Sequence, residues 1–327
     1  MRHPSVTAAL LASAVIGGLG LTPGAAHAQA GTPAARAAWI KSCHDKKDDT
    51  DYPCGHWKLV MRDGRQVVVR DAAGSKAGAK DETAAFAISA DGRVLAYQRA
   101  RDHRLVVQPV AGGPAKVLPK SAVPKGAGAL AVMLSPKGDR VMIDYGNEPL
   151  RRPITVITVA TGQTTTLPLG DSMLGFSGDG DEVLTSRDLS DNTTRLAAYR
   201  LGGGSIKRTP PQVVYGAEAL ALAPDGRTVA AFIGGNADRK KPPRVRTYDL
   251  ESGELSAGAD LPLKPDTETE TAWWGPDGRI HATVRRGDDG EAAVVRVLTV
   301  DPQSGKATQT DAYTISKTRF EHVEAGE

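Results

Sequence analysis

Apolar and polar residues alternate over short stretches along most of the chain, and this pattern predicts β-strands. In 244–248 (Arg-Val-Arg-Thr-Tyr), alternate positions place polar groups mostly on one side, and Val94 and Ala96 likewise share a face. A period of two is typical of half-buried strands. The 36 glycines and 21 prolines imply many turns rather than long helices. The sequence therefore predicts an all-β fold of short strands.

Five segments of the chain repeat one order of elements. Each has an apolar strand, a turn built around Asp-Gly or Lys-Gly, a second apolar strand, a charged loop and a third strand that ends in a polar turn. The glycines of the first turns are residues 92, 138, 180, 226 and 278, which are 46, 42, 46 and 52 residues apart. A later glycine turn in each segment adds another hairpin. Units of ~40–50 residues with four short strands are typical of the blades of a β-propeller.

The repeat is most complete in 223–227 (Ala-Pro-Asp-Gly-Arg), 229–232 (Val-Ala-Ala-Phe) and 245–249. In these residues it resembles the repeat of TolB-type propellers, which are relatives of the WD-repeat family. The resemblance covers about residues 84–305, implies the propeller fold and assigns no catalytic residue. The third repeat lacks the proline, and the second has Lys137 in place of the aspartate, which alters the turn but not the expected fold.

The two ends of the chain are expected to form one further blade together. Residues 56–70 predict a hairpin that lies too close to the first repeat for a complete blade, and 318–323 predict one more strand. Closing a ring with strands from both ends removes unpaired strand edges. We therefore predict a single β-propeller of six blades with a composite closing blade. Five blades with a loose N-terminal hairpin is the alternative.

The residues before the propeller divide into an export signal and a short extension. Arg2 and His3 precede the apolar run 8–21, and 26–28 (Ala-His-Ala) fits a signal-peptide cleavage site. That run is too short for a stable anchor, and no later segment has the ~20 apolar residues of a spanning helix. The predicted domains are a signal peptide (1–28), an N-terminal extension (29–55) and the propeller (56–324). In the extension we predict a short helix that Thr32 caps and that ends near Cys43.

Cys43 and Cys54 are the only cysteines, and we predict that they form a disulfide. An even number of cysteines in an exported protein indicates such a bond. A zinc site that adds His44 and His56 is the alternative, but the adjacent Cys43 and His44 lack the usual spacing between ligands.

Charge and motifs argue against several classes of function. The formal net charge of +3 falls to +2 when Arg2 leaves with the signal peptide, whereas dedicated nucleic-acid binders usually have a pronounced basic excess. The sequence has no Gly-x-Ser-x-Gly and no glycine-rich phosphate loop. Asp179, Asp181 and Glu182 belong to a repeat turn rather than to a calcium loop. We therefore predict no catalytic residue, no metal site and no cofactor.

One face of the predicted propeller carries the candidate binding residues. In each repeat the loop between the second and third strands is cationic, and the loops that lead into the first strand carry acidic residues nearer the axis. We predict a cationic rim around an acidic mouth, which would attract a partner of complementary charge. Charged loops that serve only solubility are the alternative. The candidates are Arg101, Arg152, Arg187, Lys240 and Arg286 on the rim, and Glu82, Asp171, Glu218 and Glu270 at the mouth.

The expected function is that of a secreted, non-catalytic binding protein or protein-interaction scaffold at the cell envelope or outside the cell. We expect a monomer whose partner is a protein or an anionic cell-wall polymer, with no nucleic acid and no stable membrane insertion. Two alternatives stay open. One is an enzyme, a lyase or hydrolase, whose mouth carboxylates hold a metal ion. The other is a sugar-binding propeller that uses Trp273 or Trp274.

Overall fold

The structure, a computed structural model, describes residues 32–123, 130–146, 152–275, 278–286 and 292–327, without the side chain of Arg286. The predicted signal peptide at residues 1–28 lies outside these ranges. Within them, no helix has both the length and the apolar character needed to cross a membrane.

Strands make up nearly all of the regular structure. The first three are β1 (Ala35–Asp45), β2 (Thr50–Met61) and β3 (Gln66–Val69), and a short pair, β4 (Ser75–Lys76) and β5 (Ala79–Thr83), follows them. The described helical segments are a 3-10 turn at Lys120–Ala122 and the single turn α1 (Gln212–Tyr215).

Five blades then follow one another along the chain, each with four antiparallel strands in sequence order. Blade 1 contains β6 (Phe86–Ile88), β7 (Val94–Gln98), β8 (Leu105–Pro109) and β9 (Lys116–Val117). Blade 2 contains β10 (Ala131–Leu134), β11 (Arg140–Asp144), β12 (Thr155–Thr158) and β13 (Thr164–Thr166). Blade 3 contains β14 (Ser172–Phe176), β15 (Glu182–Asp188), β16 (Thr194–Arg200) and β17 (Ser205–Arg208). Blade 4 contains β18 (Ala219–Leu222), β19 (Thr228–Ile233), β20 (Arg244–Asp249) and β21 (Ala259–Asp260). Blade 5 contains β22 (Glu268–Trp274), β23 (Ile280–Arg286), β24 (Ala293–Val300) and β25 (Ala307–Ile315).

The last strand, β26 (Arg319–Glu324), completes a sixth blade with strands from the other end of the chain. The order in this closing blade is β26-β1-β2-β3, and Ala38 pairs with Val323 while Ile40 pairs with Glu321. The predicted six-bladed propeller with a composite blade is therefore confirmed, and the five-bladed alternative is wrong.

The hydrophobic core is divided among the junctions between neighbouring blades. Six clusters of buried apolar side chains occupy these junctions. Trp57 of the closing blade is fully buried in one of them, where its ring stacks on Phe86 of blade 1 with centroids 4.6 Å apart. At the opposite side of the closing blade, Ala37 and Trp39 pack on Tyr313 of blade 5. Each blade thus buries both faces, and the ring is closed.

The predicted helix between Thr32 and Cys43 is wrong, because Ala35–Asp45 is strand β1. The run of alanines favours a helix by itself. In the folded chain the segment pairs with β2 on one side and with β26 on the other, and this pairing overrides the local preference. The first propeller strand therefore begins at Ala35, upstream of the predicted boundary at residue 56.

Cys43 and Cys54 form the predicted disulfide, with Cα atoms 5.8 Å apart. The bond joins β1 and β2 near the outer end of their hairpin. Since both sulfur atoms are used in it, the zinc alternative is wrong. The nearby His44 contacts Asp51 instead, with Nδ1 3.0 Å from Oδ1.

In blades 1 and 3 a serine and an aspartate organise the Asp-Gly turn. In blade 1 the Ser89 hydroxyl donates to Asp91 Oδ1 at 2.6 Å and accepts the N–H of Val94 at 3.0 Å. Gly92 follows with a φ of +74°, and a Cβ on it would lie 2.2 Å from the carbonyl oxygen of Ala35. The glycine is thus needed twice, for its backbone conformation and for its close approach to the neighbouring blade.

Candidate functional site

The connections between strands divide the propeller into two surfaces. Because neighbouring strands of a blade are antiparallel, successive connections lie at opposite ends. We call the surface with the Asp-Gly turns, between first and second strands, the turn face. The other surface, the loop face, carries the loops between second and third strands and those that lead into each first strand. This is the division on which the sequence prediction rests.

A large open cleft lies on the loop face, with a volume of about 950 Å³. It is bordered by β5, by the closing blade and by blades 2 and 3. Two arginines, Arg152 and Arg187, line it. Its acidic lining residues are Asp81, Glu82, Asp144, Asp171, Asp188 and Glu321. We call this the loop-face cleft, and its lining has more carboxylates than guanidinium groups.

Asp171, one of the predicted mouth residues, is a buried anchor of this cleft. Its side chain is 2% exposed and accepts a hydrogen bond from Arg187 Nε at 2.5 Å. It also accepts the hydroxyl protons of Tyr199 at 2.7 Å and Thr185 at 3.3 Å. Burial, followed by the bond to Asp171, raises the pKa of Tyr199 to about 12. A buried carboxylate with three donors is satisfied, so the Asp171–Arg187 pair holds the loops in place and adds no net charge to the cleft.

Four other acidic residues of the cleft keep more of their charge available, whereas burial raises the pKa of the Glu321 carboxyl group, which accepts the hydroxyl proton of Thr83. Glu82 is exposed and pairs with Lys76 at 2.7 Å. From the described residues, Asp144 accepts only backbone N–H groups, that of Gly146 at 3.0 Å and that of Met173 at 3.5 Å. Asp188 accepts the hydroxyl proton of Thr194 at 3.0 Å. The side chain of Asp81 has no bond or ion pair with any residue in the described ranges.

The predicted mouth residues Glu218 and Glu270 lie along the central channel rather than in the loop-face cleft. Glu218 accepts the N–H of Thr269 at 2.9 Å, and burial raises the pKa of its carboxyl group. Glu270 is ion-paired with Arg285. Between them and the turn face, the channel wall includes Met133, Met173 and Leu220, so the channel becomes apolar towards its centre.

The predicted rim cations do not line one common site. Arg187 is committed to Asp171, and Arg101 and Lys240 are exposed outside the lining of the loop-face cleft. Arg152 does line it, with its guanidinium carbon 6.0 Å from the centre of the Tyr145 ring. The Nε of Arg152 is buried and has no hydrogen-bond partner among the described residues. Arg286 lies at the end of strand β23, and its side chain lies outside the described part of the structure.

Sequence reasoning missed three acidic residues of the cleft, Asp144, Asp188 and Glu321. Asp144 and Asp188 end the second strands of blades 2 and 3, where charged residues follow an apolar strand. That position could have identified them. Glu321 could not be found in this way, because only the return of β26 to the ring brings it beside blade 1.

Trp273 and Trp274 are both used in packing. His281 stacks on Trp273 with centroids 5.4 Å apart, and a Cβ on Gly326 would lie 3.1 Å from its Cδ2 on another side. The indole N–H of Trp274 donates to the Ala221 carbonyl at 3.1 Å, and its ring packs in the core between blades 4 and 5. These contacts give each tryptophan a structural role.

A buried carboxylate also lies in β26. The side chain of Glu324 is 2% exposed, and neither oxygen has a hydrogen-bond partner among the residues described here. Burial raises the pKa of Glu324 to about 7. The folded state therefore holds a proton that the unfolded chain releases above pH 4.5. The contribution of this carboxyl group to stability is greatest below that pH and is lost as the pH rises through 7.

We expect Glu324→Gln to stabilise the protein at pH 8 by about 1–3 kcal/mol, because the amide removes the cost of ionising a buried acid. Little difference is expected at pH 4, where the wild-type carboxyl group is protonated. Urea unfolding of both proteins across this range measures the effect. The Nε2 of His322 lies 3.9 Å from Glu324 Oε1, but burial lowers the pKa of His322 to about 4, so its ring is neutral at pH 8 in both proteins. A stability difference that does not change with pH would contradict the prediction.

No group of three or more His, Cys, Asp or Glu residues in the described ranges is arranged to hold a metal ion. The mouth carboxylates Glu218 and Glu270 are directed to a backbone N–H and to an arginine, respectively.

Comparison with known proteins gives the fold. No protein-family model and no curated protein matches the chain. Among solved structures, TolB from Acinetobacter baumannii is 16% identical with a TM-score of 0.50, over 90% of this chain and 67% of that one. A chain of a nidogen/laminin complex is 9% identical with a TM-score of 0.47, over 89% of this chain and 98% of that one. An oligogalacturonate lyase in complex with manganese is 13% identical with a TM-score of 0.42, over 86% of this chain and 74% of that one. At such identities the likeness concerns architecture alone, and the chain has the six-bladed β-propeller fold that is also found in TolB-type proteins.

Proposed function

We propose that this protein is an exported, non-catalytic binding protein whose loop-face cleft takes a basic segment of a protein partner. The observation that carries the proposal is the charge of that cleft. Six carboxylates line it with two arginines, and one of these arginines is already paired with Asp171.

The pairs within the cleft leave a negative surface. Asp171 and Arg187 neutralise each other, and Glu82 has Lys76 as its partner. Among the residues that the structure describes, Asp81, Asp144 and Asp188 then face one remaining cation, Arg152. Electrostatic complementarity guides association and selects partners more than it adds affinity. A lysine- or arginine-rich segment fits this surface, and an anionic wall polymer fits it less well, because the like charges would repel each other.

Arg152 gives the cleft a second kind of contact. Its guanidinium lies by the ring of Tyr145, and the partly exposed side chain lines the cleft. A guanidinium is a multiple hydrogen-bond donor without acceptor capacity. It is suited to a backbone carbonyl of a bound segment, which would fix the segment's position while the carboxylates bind its side chains.

Export is supported by two features of the chain. The disulfide between Cys43 and Cys54 is typical of an oxidising compartment. The N-terminal residues have the order of a cleavable signal peptide.

The proposal is tested with synthetic peptides of equal length, one rich in lysine and arginine and one rich in aspartate and glutamate. The cleft variant replaces Asp81, Asp144 and Asp188 with Asn, which keeps an acceptor oxygen at each position. We expect it to bind the basic peptide at least about tenfold more weakly than the wild type does, and we expect binding to weaken with added salt. Calorimetry or fluorescence anisotropy measures the affinity.

A control with the same change in net charge replaces Asp45, Asp48 and Asp49 with Asn at the far end of the β1–β2 hairpin. It should bind the basic peptide like the wild type. Equal losses in both variants would show a non-specific charge effect, and an acidic peptide that binds as tightly as the basic one would refute the proposal.

A further inference from the structure

The turn face has a cleft of its own, with the opposite charge. Its volume is about 900 Å³, and it lies where the closing blade and blade 5 meet the turns of blades 1 and 2. Its charged lining residues are Arg36, Arg62, Arg93, Lys137, Asp91 and Asp311. We call this the turn-face cleft.

The two acidic residues in the described lining of the turn-face cleft are committed to neighbouring groups. Asp311 pairs with Arg36, with Oδ2 3.0 Å from Nε. Arg36 is also held by the carbonyls of Ala312 at 3.1 Å and Arg62 at 2.6 Å. Asp91 accepts the hydroxyl proton of Ser89 and the N–H of Arg93 within its own turn. These bonds are structural, and Arg36 and Asp311 cancel each other's charge.

Three cations remain in this cleft. The side chains of Arg62, Arg93 and Lys137 make no hydrogen bond or ion pair with any residue in the described ranges. Each comes from a different element: Arg62 follows β2, Arg93 lies in the turn of blade 1, and Lys137 lies in the turn of blade 2. Only the closed ring brings them to one cleft, and among its described lining residues Asp91 is the one carboxylate that is not paired with an arginine.

Lys137 also differs from the residue at the same position of the other repeats. The corresponding position is aspartate in the other four repeats, at residues 91, 179, 225 and 277. In blades 1 and 3 that aspartate accepts the hydroxyl proton of the preceding turn serine, at 2.6 and 2.7 Å. In blade 2 Ser135 donates instead to Asp139 at 2.6 Å. The carboxylate has moved two residues along the turn, so the turn keeps its hydrogen bond and position 137 can carry a positive charge.

We propose that the turn-face cleft is an anion site that binds a phosphate-bearing ligand through Arg62, Arg93 and Lys137. Arginine matches the geometry of phosphate with paired N–H donors, and lysine adds a point charge. A terminal phosphate offers three strong acceptor oxygens, which suits three cations from three elements better than the two oxygens of a carboxylate. This site is distinct from the loop-face cleft, since it lies on the opposite face of the propeller and has the opposite charge.

Tripolyphosphate is the probe for this site, with calorimetric titration of the full mature chain at low salt. The cleft variant replaces Arg62, Arg93 and Lys137 with Gln. The matched control replaces Lys41, Lys46 and Lys47 with Gln on the β1–β2 hairpin, which changes the net charge equally. We expect the cleft variant to lose at least about tenfold in affinity and the control to stay within about twofold.

The single change Lys137→Asp restores the residue of the other repeats and is therefore expected to leave the fold intact. It should weaken tripolyphosphate binding by about threefold or more, because it replaces an attractive charge with a repulsive one. Thermal unfolding checks that each variant is folded. Equal losses in the cleft variant and the control would overturn the proposal, as would unchanged binding in the cleft variant. Citrate binding as tight as that of tripolyphosphate would overturn the choice of phosphate.

Discussion

A chain that ends at Ser316 is expected to have no cooperative unfolding transition, because it lacks β26. This strand is the innermost strand of the closing blade, and it pairs with β1 from Ala37 to Lys41. Its loss opens the ring at the junction with blade 1, where Val323 is part of the buried cluster around Trp57. The edge of β1 would also be left unpaired.

The expected loss is comparable with the whole stability of an ordinary domain, about 5–15 kcal/mol. Circular dichroism during heating and urea unfolding measure it. A chain that lacks only residues 326–327 is the control, since β26 and its pairing with β1 are retained, and it should unfold cooperatively. A truncated protein that still melts in one sharp transition would show that blades 1 to 5 are stable without closure, contrary to our expectation.

Gly92→Ala is expected to destabilise the protein by about 3 kcal/mol or more, from backbone strain and overpacking together. Gly92 has a φ of +74°, and an added Cβ would lie 2.2 Å from the carbonyl oxygen of Ala35. The same glycine accepts the N–H of Ala35 at 2.7 Å. Neither partner is a flexible side chain, so the turn of blade 1 must move away from the start of β1.

Gly64→Ala separates the two causes. Gly64 also has a positive φ, of +86°, but nothing lies within 4 Å of an added Cβ. It should cost only the backbone strain of about 1–2 kcal/mol. Urea unfolding of the two variants beside the wild type measures the difference. If both changes have the same effect, the contact between Gly92 and Ala35 does not contribute, and the role that we assign to it in closure is wrong.

The repeat and its turns could be predicted well because they are local. Ser89, Asp91 and Gly92 lie within four positions of one another, and their hydrogen bonds depend little on the rest of the chain. The closing strand was also predictable, because an incomplete N-terminal blade requires a partner strand. The Ala35–Asp45 segment was not, since its alanines favour a helix and only its pairing with β2 and β26 makes it a strand.

The candidate sites were predicted only in part. Sequence order placed Glu82, Asp171, Arg152 and Arg187 on one face, and the loop-face cleft contains all four. It did not indicate that Asp171 and Arg187 neutralise each other, or that Glu218 and Glu270 lie along the channel. The turn-face cleft was not predicted at all, although its most unusual residue, Lys137, was visible as a departure from the repeat.

The sequence by itself determined the strand order within the repeats, the chemistry of their turns and the pair of cysteines, and it favoured six blades over five. All of these follow from residues that are near one another in the chain, or from the requirement that a ring has no open edge. The tertiary structure decided which charges are paired and which are exposed to a partner. That outcome depends on distances between residues from different blades. The net charge of a cleft is set by which of its charged side chains have a partner of opposite charge close by, and the sequence does not give these distances.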